Sequence, residues 1–313
     1  MTSFNNIDEF NSTDYTILTI GTFDGVHIGH QKVLERLTKE AKNNNLKSTV
    51  LTFFPHPRTV LNPNKPLKLI NSVNERTDLL SKSKIDNLII HPFDKSFSEL
   101  DPEKYVLEIL VKKLKAKIIL IGYDHKFGKN RTANINDLKI YGEKYGFKVI
   151  EIKAEEISNI AISSTKIRKA ISEGDISTAK EYLGHDVSLS GRIVHGKSIG
   201  RTIGFPTANV EIPNGMCVPS DGVYAGLYRR PDGSEHPCAI NLGRRPTFYV
   251  NAEHSLLEAY LMDFSGDLYG EVAVVQFVAF LRSERQFAGL DELKDQLQVD
   301  IAHARAAVAT HLQ

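Results

Sequence analysis

The chain has 313 residues, which is enough for about two domains of ~100–200 residues each. Its 25% charged and 41% hydrophobic residues exclude disordered and fibrous classes. The formal net charge is +1, and no block of five or six like charges occurs, so we expect no nucleic-acid partner. No apolar run approaches the ~18 residues of a membrane helix and no signal-peptide pattern opens the chain, so we expect no membrane association and a cytoplasmic location. Two cysteines are too few for a structural metal framework.

The amino-acid usage changes along the chain. Residues 1–200 hold 24 lysines, 6 arginines and 24 acidic residues, a net charge of +6. Residues 201–313 hold 1 lysine, 8 arginines and 14 acidic residues, a net charge of −5. Asparagine falls together with lysine, and alanine rises near the C-terminus. We hypothesise that sequences from two sources are joined near residues 201–217; the alternative is that two domains simply differ in composition.

The N-terminal half alternates apolar, β-branched runs with helical stretches. These runs predict strands over residues 15–20, 48–53, 87–91, 117–121 and 148–152. Apolar residues at helical spacing follow the first strand and recur over residues 102–114 and 136–145. Strands alternating with helices are typical of a doubly wound, Rossmann-like parallel α/β sheet.

The C-terminal half has short apolar segments separated by Gly, Pro and Asp turns. They predict strands over residues 188–194, 223–228, 238–242, 256–262 and 272–280, the pattern of an antiparallel β-barrel. A terminal amphipathic helix over residues 290–312 would cover one side through Leu293, Leu297, Ile301 and Ala304. We place the boundary near residues 184–190, which gives domains of residues 1–186 and 187–313.

The first predicted strand runs directly into the string GTFDGVHIGH, residues 21–30. Its glycines let the backbone approach a phosphate, and the helix N-terminus that follows favours an anion. His27 and His30 are three residues apart, so their imidazoles can converge on one phosphate; the alternative is a tight turn with helix-capping histidines. The string ISSTKIR, residues 162–168, adds hydroxyls at a helix start with Lys166 and Arg168 for a triphosphate, although a plain N-cap gives the same pattern.

Both strings resemble signatures of the nucleotidyltransferase superfamily that carries HxGH, and HIGH is also similar to class I aminoacyl-tRNA synthetases. The segments TFFPHP, residues 52–57, and GYDHKFG, residues 122–128, are similar to the adenylyltransferase half of bacterial bifunctional riboflavin kinase/FAD synthetases. His125 departs from that pattern, because many relatives have phenylalanine there. The resemblance implies catalytic residues His27 and His30, nucleotide-binding residues Gly21, Thr22, Phe23, Asp24, Gly29, Asp124, Ser164, Thr165 and Arg168, and flavin-binding residues Phe54, Pro55, His56 and Phe127.

A second glycine-rich string begins at residue 191. GRIVHGKS, residues 191–198, fits the Walker A pattern. A P-loop needs a helix directly after the lysine, but residues 199–206 contain two glycines and a proline, so we reject that assignment. Residues 196–209, GKSIGRTIGFPTAN, instead resemble the riboflavin kinase signature, with a glycine-rich barrel loop as the structural alternative. The resemblance implies ATP contacts from Gly196, Ser198, Gly200, Arg201 and Gly204, and Mg²⁺ ligands Thr207 and Asn209.

Other kinase-like segments follow in the family's order. DGVYA at residues 221–225, NLGRRPTF at 241–248, DFSGDLYG at 263–270 and FLR at 280–282 are similar to family segments. The resemblance implies that Asn241 contacts the nucleotide, that Tyr224, Arg282 and Phe287 contact the flavin, and that Glu258 is the general base. A lone glutamate on a strand is usually a solvated residue, but its surroundings favour the catalytic role.

The resemblance covers about residues 15–312 and implies a bifunctional enzyme of flavin-nucleotide synthesis. One half would phosphorylate riboflavin to FMN with ATP and Mg²⁺, and the other would join FMN to AMP from ATP, giving FAD and pyrophosphate. The expected partners are therefore these small molecules, and self-association is left open. An aminoacyl-tRNA synthetase-like ligase would leave the kinase motifs unexplained. A non-enzymatic flavin-binding regulator is the other alternative, and the intact catalytic candidates argue against it.

Overall fold

The computed structural model describes residues 1–123, 125–153, 162–196, 199–244 and 255–313. Its contacts divide the chain into two compact units. The first comprises Met1–Leu67 and Val73–Ser163, and the second comprises Lys68–Ser72 and Ser164–Gln313. Two helices that precede the predicted boundary thus group with the second unit, while the division into domains at residues 186 and 187 stays a prediction.

A parallel sheet forms the centre of the first unit. Among the described residues its strands are β1 (Thr2–Phe4), β2 (Thr16–Ile20), β3 (Lys47–Phe54), β4 (Asn87–Pro92), β5 (Ala116–Gly122) and β6 (Lys148–Ile152). Their order is β1-β4-β3-β2-β5-β6, and all neighbours are parallel, which confirms the doubly wound prediction. Strands β3 and β5 lie on opposite sides of β2. The carboxyl ends of β2 and β5 therefore flank the switch point where such sheets bind ligands.

Helices cover both faces of this sheet. Its described helices are α1 (Ile28–Asn44), α2 (Pro57–Leu61), α3 (Val73–Ser81), α4 (Lys95–Ser98), α5 (Pro102–Lys104) and α6 (Ile135–Tyr145), with short 3₁₀ segments at Ile7–Glu9 and Lys129–Arg131. One core cluster joins the sheet to Leu34, Leu37 and Leu80, and another joins it to Leu110 and Leu138. The helix predicted over residues 102–114 is confirmed, but Tyr105–Lys113 is wound as a π-helix.

The second unit is a closed antiparallel barrel, as predicted. Its strands are β7 (Val187–Val194), β8 (Ala208–Glu211), β9 (Gly222–Arg229), β10 (Glu235–Arg244), β11 (Ser255–Leu261) and β12 (Val272–Arg282), in the order β10-β11-β8-β7-β12-β9. Neighbouring strands pair antiparallel around the ring. The described helices are α7 (Ser164–Ser172), α8 (Ile176–Leu183), α9 (Ile199–Thr202) and α10 (Leu290–His311). Helix α9 lies in the segment of residues 199–206, where two glycines and a proline argued against a helix, and it is only 4 residues long.

The barrel is filled by large side chains, and its outer wall carries α10. Tyr228, Phe277 and Leu257 are fully buried inside the barrel. On the outer wall, Ala304 and Val308 of α10 join a core cluster with barrel residues. The predicted covering face is confirmed at Ala304 and at half-buried Ile301, which packs against this cluster. Leu293 and Leu297 are half-buried, and together with Ile301 they line a cavity between the barrel and the helix.

Candidate active sites

The HxGH string forms a tight turn between β2 and α1. Phe23, Gly25 and Val26 have positive φ angles of 49°, 87° and 38°, and a β-branched residue such as valine rarely adopts this conformation. His27 ends the turn and caps α1, because its Nδ1 accepts a hydrogen bond from the His30 backbone N–H at 3.4 Å. The turn therefore delivers both histidines to the helix N-terminus, where an anion is favoured.

The two histidine rings are stacked. Their centroids are 3.7 Å apart with an interplanar angle of 18°, and the Phe23 ring lies 5.1 Å from that of His30. The Nδ1 atom of His30 is buried and has no hydrogen-bond partner among the described residues. Burial, followed by the charges of His27 and Arg76, holds the pKa of His30 well below its usual 6.5. His30 is thus a neutral ring whose Nδ1 atom is bound by none of the described residues.

The rest of the predicted nucleotide turn lies around these rings. Asp24 is 1% exposed, Gly29 is buried in the first turn of α1, and Gly21 and Thr22 are half-buried. A Cβ atom at Gly21 would approach the Phe23 ring to 3.1 Å, so the turn leaves little room for a side chain there. The structure brings these residues together with His27 and His30.

The TFFPHP segment places the second of its two phenylalanines, Phe54, at the surface beside this turn. Phe54 ends β3 with 45% of its surface exposed, followed by a cis peptide bond to Pro55, which is exposed. His56 caps α2, because its Nδ1 accepts a hydrogen bond from the Arg58 N–H at 3.1 Å. An exposed ring at a strand end is available to a flat ligand, and flavin binding here stays a prediction.

The GYDHKFG segment differs from the expected arrangement. Phe127 is 8% exposed and belongs to the hydrophobic core, with its ring centroid 6.0 Å from those of Tyr105 and His125. Its ring is therefore largely covered by packing, and a flavin contact by Phe127 stays a prediction. Asp124 lies outside the described residues.

The ISSTKIR string starts α7 in the second unit. Ser164 is half-buried at the first position of this helix, while Thr165 and Lys166 are exposed. The Nε of Arg168 donates a hydrogen bond to the carbonyl of Lys68 at 2.7 Å. This contact holds a backbone segment of the same unit, and the triphosphate roles of Ser164, Thr165 and Arg168 stay predictions.

A cavity of about 650 Å³ lies between the outer wall of the barrel and α10. This volume is in the range of ~300–1,000 Å³ that is typical of small-molecule sites. Its apolar side includes Phe287, Leu293, Leu297 and Ile301. Its polar side is formed by barrel strands and by the loop before β8. An amphipathic molecule with a flat apolar part and a hydroxylated part fits such a lining.

The polar side of the cavity contains a row of three opposed residues. Glu258 on β11 is paired in register with Asn209 on β8 and with Asn241 on β10. Directly opposite residues on antiparallel strands place their side chains on the same face, with Cβ atoms ~4.5–5.5 Å apart. All three residues line the cavity. The fold thus joins a candidate base, a candidate metal ligand and a candidate nucleotide contact.

Gly196, Gly200 and Gly204 precede β8, and their lack of a side chain lets the backbone approach this row closely. A Cβ atom at Gly196 would lie 2.5 Å from Nδ2 and 2.6 Å from Oδ1 of Asn209, and one at Gly200 would lie 2.3 Å from the carbonyl of Phe205. Gly204 has a φ angle of 91°. Thr207 and Gly200 line the cavity. Ser198 lies outside the described residues, as does the side chain of Arg201.

Two of the three predicted flavin contacts of the barrel lie at the cavity. Arg282 and Phe287 line it, and the Phe287 ring lies 5.9 Å from the Arg282 guanidinium. Tyr224 is fully buried, packs edge-on against Phe277 and Phe280, and donates its hydroxyl to the Ser220 carbonyl at 2.6 Å. Because Tyr224 does not line this cavity, its flavin contact stays a prediction.

Comparison with known proteins gives a family match for each half of the chain. A family model described as FAD synthetase matches residues 10–166, and one described as riboflavin kinase matches residues 183–308. The bifunctional riboflavin kinase/FMN adenylyltransferase of Buchnera aphidicola subsp. Schizaphis graminum is 38% identical over 297 residues, covering 95% of this chain and 94% of the relative. The chain belongs to this bifunctional family.

Other members and a solved structure agree with that assignment. The bifunctional riboflavin kinase/FMN adenylyltransferase of Escherichia coli strain K12 is 36% identical, covering 92% of this chain and 91% of the relative. A crystal structure described as a macrolide-efflux protein from Streptococcus pneumoniae matches with a TM-score of 0.86 and 31% identity, covering 97% of this chain and 98% of that one.

In the part of the chain described by the structure, no helix is long and apolar enough to cross a membrane.

In this member of the bifunctional family, sequence reasoning missed three polar residues beside the candidate sites. Arg76 on α3 is 4% exposed and hydrogen bonds to the HxGH turn. Asp300 on α10 is 2% exposed and binds Arg282 through two hydrogen bonds of 2.8 and 2.6 Å, while Gln296 donates to the same carboxylate at 2.8 Å. The available signal was a charged residue on the apolar face of a helix: Arg76 precedes buried Leu80 by four positions.

Proposed function

We propose that this chain is a bifunctional enzyme that makes FMN from riboflavin and ATP, and FAD from FMN and a second ATP. The observation that carries the proposal is that one chain contains two separately built sites of different chemistry. The barrel unit has a carboxylate between two amides on a cavity wall. The parallel-sheet unit has two stacked histidines at a helix N-terminus.

In the kinase reaction, the barrel cavity holds riboflavin with its ring system toward Phe287, Leu293 and Leu297. The hydroxylated chain then reaches the polar row. The Glu258 carboxylate accepts the proton of the terminal hydroxyl as that oxygen attacks the γ-phosphorus of ATP. A new P–O bond forms to the flavin, the bond to ADP breaks, and the proton remains on Glu258 until it is released to water.

The residues at one end of the row fit Mg²⁺. Asn209 is 7% exposed, and its Oδ1 is buried without a hydrogen-bond partner among the described residues. Thr207 lies two residues away and lines the same cavity. Mg²⁺ bound to nucleotide phosphates keeps few protein ligands and prefers oxygen, so Thr207 and Asn209 would hold it. The bound ion supplies neutralisation of the phosphate charge.

In the adenylyl transfer, the HxGH turn receives the phosphates of ATP. The N-terminus of α1 and the neutral ring of His30 provide hydrogen-bond donors to the oxygens that gain charge as the FMN phosphate attacks the α-phosphorus. A P–O bond to FMN forms and the bond to pyrophosphate breaks. His27, stacked on His30 and fixed as the helix cap, keeps the two rings in one orientation. This route needs no covalent intermediate on the enzyme.

The test is to incubate the purified chain with riboflavin and Mg-ATP and to follow FMN and FAD separately. FAD formation from supplied FMN isolates the second reaction. Both products should appear, and FMN should precede FAD. Flavin binding without turnover would favour the non-enzymatic regulator, and amino-acid-dependent exchange of pyrophosphate into ATP would favour the ligase. The cytoplasmic location stays a prediction, and self-association is open.

A further inference from the structure

At the candidate site in the sheet unit, β3 continues beyond the end of its neighbour β2. β2 ends at Ile20, and the Gly21 N–H still donates to the carbonyl of Leu51 on β3 at 3.1 Å. β3 continues to Phe54. Carbonyls on one edge of a strand recur every second residue, so the carbonyl of Phe53 faces the gap that β2 has left. A separate donor must satisfy that buried carbonyl.

Arg76 supplies this donor and also holds the turn on the other side of the gap. One terminal nitrogen of its guanidinium donates to the carbonyl of Phe53 at 3.2 Å, and the other donates to the carbonyl of Thr22 at 2.7 Å. Thr22 also accepts from the hydroxyl of Thr52 at 3.1 Å. The side chain of Arg76 reaches this point from α3 with 4% exposure. A rigid planar fork can hold two carbonyls at once, whereas lysine offers a single nitrogen.

We infer that Arg76 is a positioning residue for adenylyl transfer, fixing the HxGH turn against the strand end that carries Phe54. This inference rests on the proposed function of the same site. The nucleotide side and the flavin side of the reaction are then held at one separation by the Arg76 fork, together with the hydrogen bond from Thr52 to Thr22. In-line attack tolerates little error, since a displacement of about 1 Å can cost roughly 10²-fold in rate.

The charge of Arg76 also lowers the pKa of His30, which provides a second measurable effect of this residue. Asp24, 1% exposed in the turn, opposes the lowering of the Arg76 pKa that burial causes. Among the described residues, the groups whose charge lowers the pKa of His30 are His27 from the helix cap and Arg76 from α3, and burial lowers it further. Glu75 is also buried on α3. Removal of the Arg76 charge should therefore raise the pKa of His30, whereas lysine should retain most of its effect.

The experiment compares Arg76→Lys and Arg76→Gln with wild type. FAD formation from FMN and ATP is measured across pH per folded protein, and FMN formation from riboflavin, which uses the barrel unit, shows whether the effect is confined to the sheet unit. We expect kcat for FAD formation to fall about 10–100-fold in the lysine variant and at least about 100-fold in the glutamine variant. The KM for ATP should change less than kcat. Arg36→Gln is the matched control, because Arg36 is a surface residue of α1 paired with Glu40.

Titration of the His30 ring by NMR separates this inference from the proposed function, because it requires no turnover. Its pKa should rise in Arg76→Gln and stay near the wild-type value in Arg76→Lys. Retention of kcat within about two-fold in both variants would overturn the positioning role, even if the wild type makes FAD. So would a fall in the total rate that only matches the loss of folded protein, with an unchanged kcat per folded active site and an unchanged His30 titration. A wild type that makes no FAD would refute the function instead, and the NMR titration would still decide whether Arg76 acts on His30.

Discussion

Glu258 and Asn209 lie directly opposite each other on the antiparallel strands β11 and β8. The neighbours of Glu258 along β11, Leu257 and Ala259, are fully buried inside the barrel. A slip of one residue in this pairing would turn the carboxylate into the barrel core, because side chains alternate between the two faces. The register of the barrel therefore decides whether the candidate base and the candidate amide ligand share one cavity.

Replacement of Glu258 by glutamine should lower riboflavin phosphorylation by roughly two to four orders of magnitude, the usual span for loss of a general base. The amide keeps the size of the side chain but accepts no proton. The measurement is the initial rate of FMN formation, with FAD formation from supplied FMN as the internal control. Glu211→Gln is a matched control on β8, exposed and outside the cavity lining. Near-normal FMN formation by Glu258→Gln would remove the base assignment.

Replacement of Asn209 by alanine should weaken the kinase reaction through its metal. Mg²⁺ on nucleotide phosphates keeps few protein ligands, so one missing oxygen is hard to replace. The defect should ease in part at high Mg²⁺, and the check is the kinase rate as a function of Mg²⁺ concentration. An unchanged metal dependence beside a lowered melting temperature would favour a purely structural role for Asn209. Gly196→Ala should show a related defect, because the added Cβ would meet the Asn209 amide.

Local patterns predicted most of the strands. β6 was predicted with the observed bounds, and β2 to β5 differ from the prediction by a residue or so at their ends, because buried parallel strands are continuous apolar runs. β1 was missed, since three residues carry no periodic signal and the strand is defined by its pairing with Asn87–Ile89. β8 was missed because Ala208–Glu211 overlaps the end of the glycine-rich motif.

The candidate sites were harder to predict from the sequence, because most of their residues are brought together by tertiary structure. His27 and His30 are close in sequence, so their proximity followed from the motif itself. The alignment of Asn209, Glu258 and Asn241 depends on the register between three strands, which no local pattern determines. Arg76 was missed for the same physical reason: its partners are two carbonyls at the point where the sheet ladder ends. Asp300 was missed because its partner Arg282 lies on another element.

Replacement of His30 by alanine should abolish FAD formation and leave FMN production within a few-fold of wild type. The ring lies in the sheet unit, whereas Glu258 and its cavity belong to the barrel unit. His27→Ala should behave similarly, with an added loss of helix capping worth about 0.5–2 kcal/mol. The two products are followed by chromatography in one reaction. Equal loss of both activities in a folded variant would argue against separate sites.

The lowered pKa of His30 should make the stability of the protein depend on pH. In the unfolded chain His30 titrates near 6.5, whereas in the folded protein burial and neighbouring charges lower its pKa. The unfolded state therefore binds more protons as the pH falls below about 6.5, and the free energy of unfolding decreases until the folded pKa is reached. Thermal melts between pH 7 and pH 5 should show a smaller decrease for His30→Gln than for wild type. His303→Gln, an exposed position on α10, should retain the wild-type decrease; an equal slope in all three proteins would contradict the prediction.

Replacement of Asp300 by alanine should raise the KM for riboflavin and destabilise the barrel unit. The carboxylate holds Arg282 by two hydrogen bonds at the cavity wall, and Arg282 in turn faces the Phe287 ring. Without Asp300 the guanidinium can leave the wall, so the ring loses a fixed neighbour and the flavin loses one side of its site. The cost should be about 2–3 kcal/mol, below the ~3–5 typical of breaking a fully buried pair, because the Arg282 side chain keeps 22% exposure to water.

The conservative variant distinguishes positioning of Arg282 from simple loss of stability. Asp300→Asn keeps the size of the side chain and one oxygen acceptor, so it should retain part of the contact and show a smaller rise in KM than alanine. Gln296→Ala removes a second donor to the same carboxylate and should raise the KM only slightly. The measurements are KM and kcat for FMN formation together with unfolding in urea. A fall in kcat and stability with an unchanged KM in Asp300→Ala would show that the pair supports the fold alone, and the flavin contact of Arg282 would then be withdrawn.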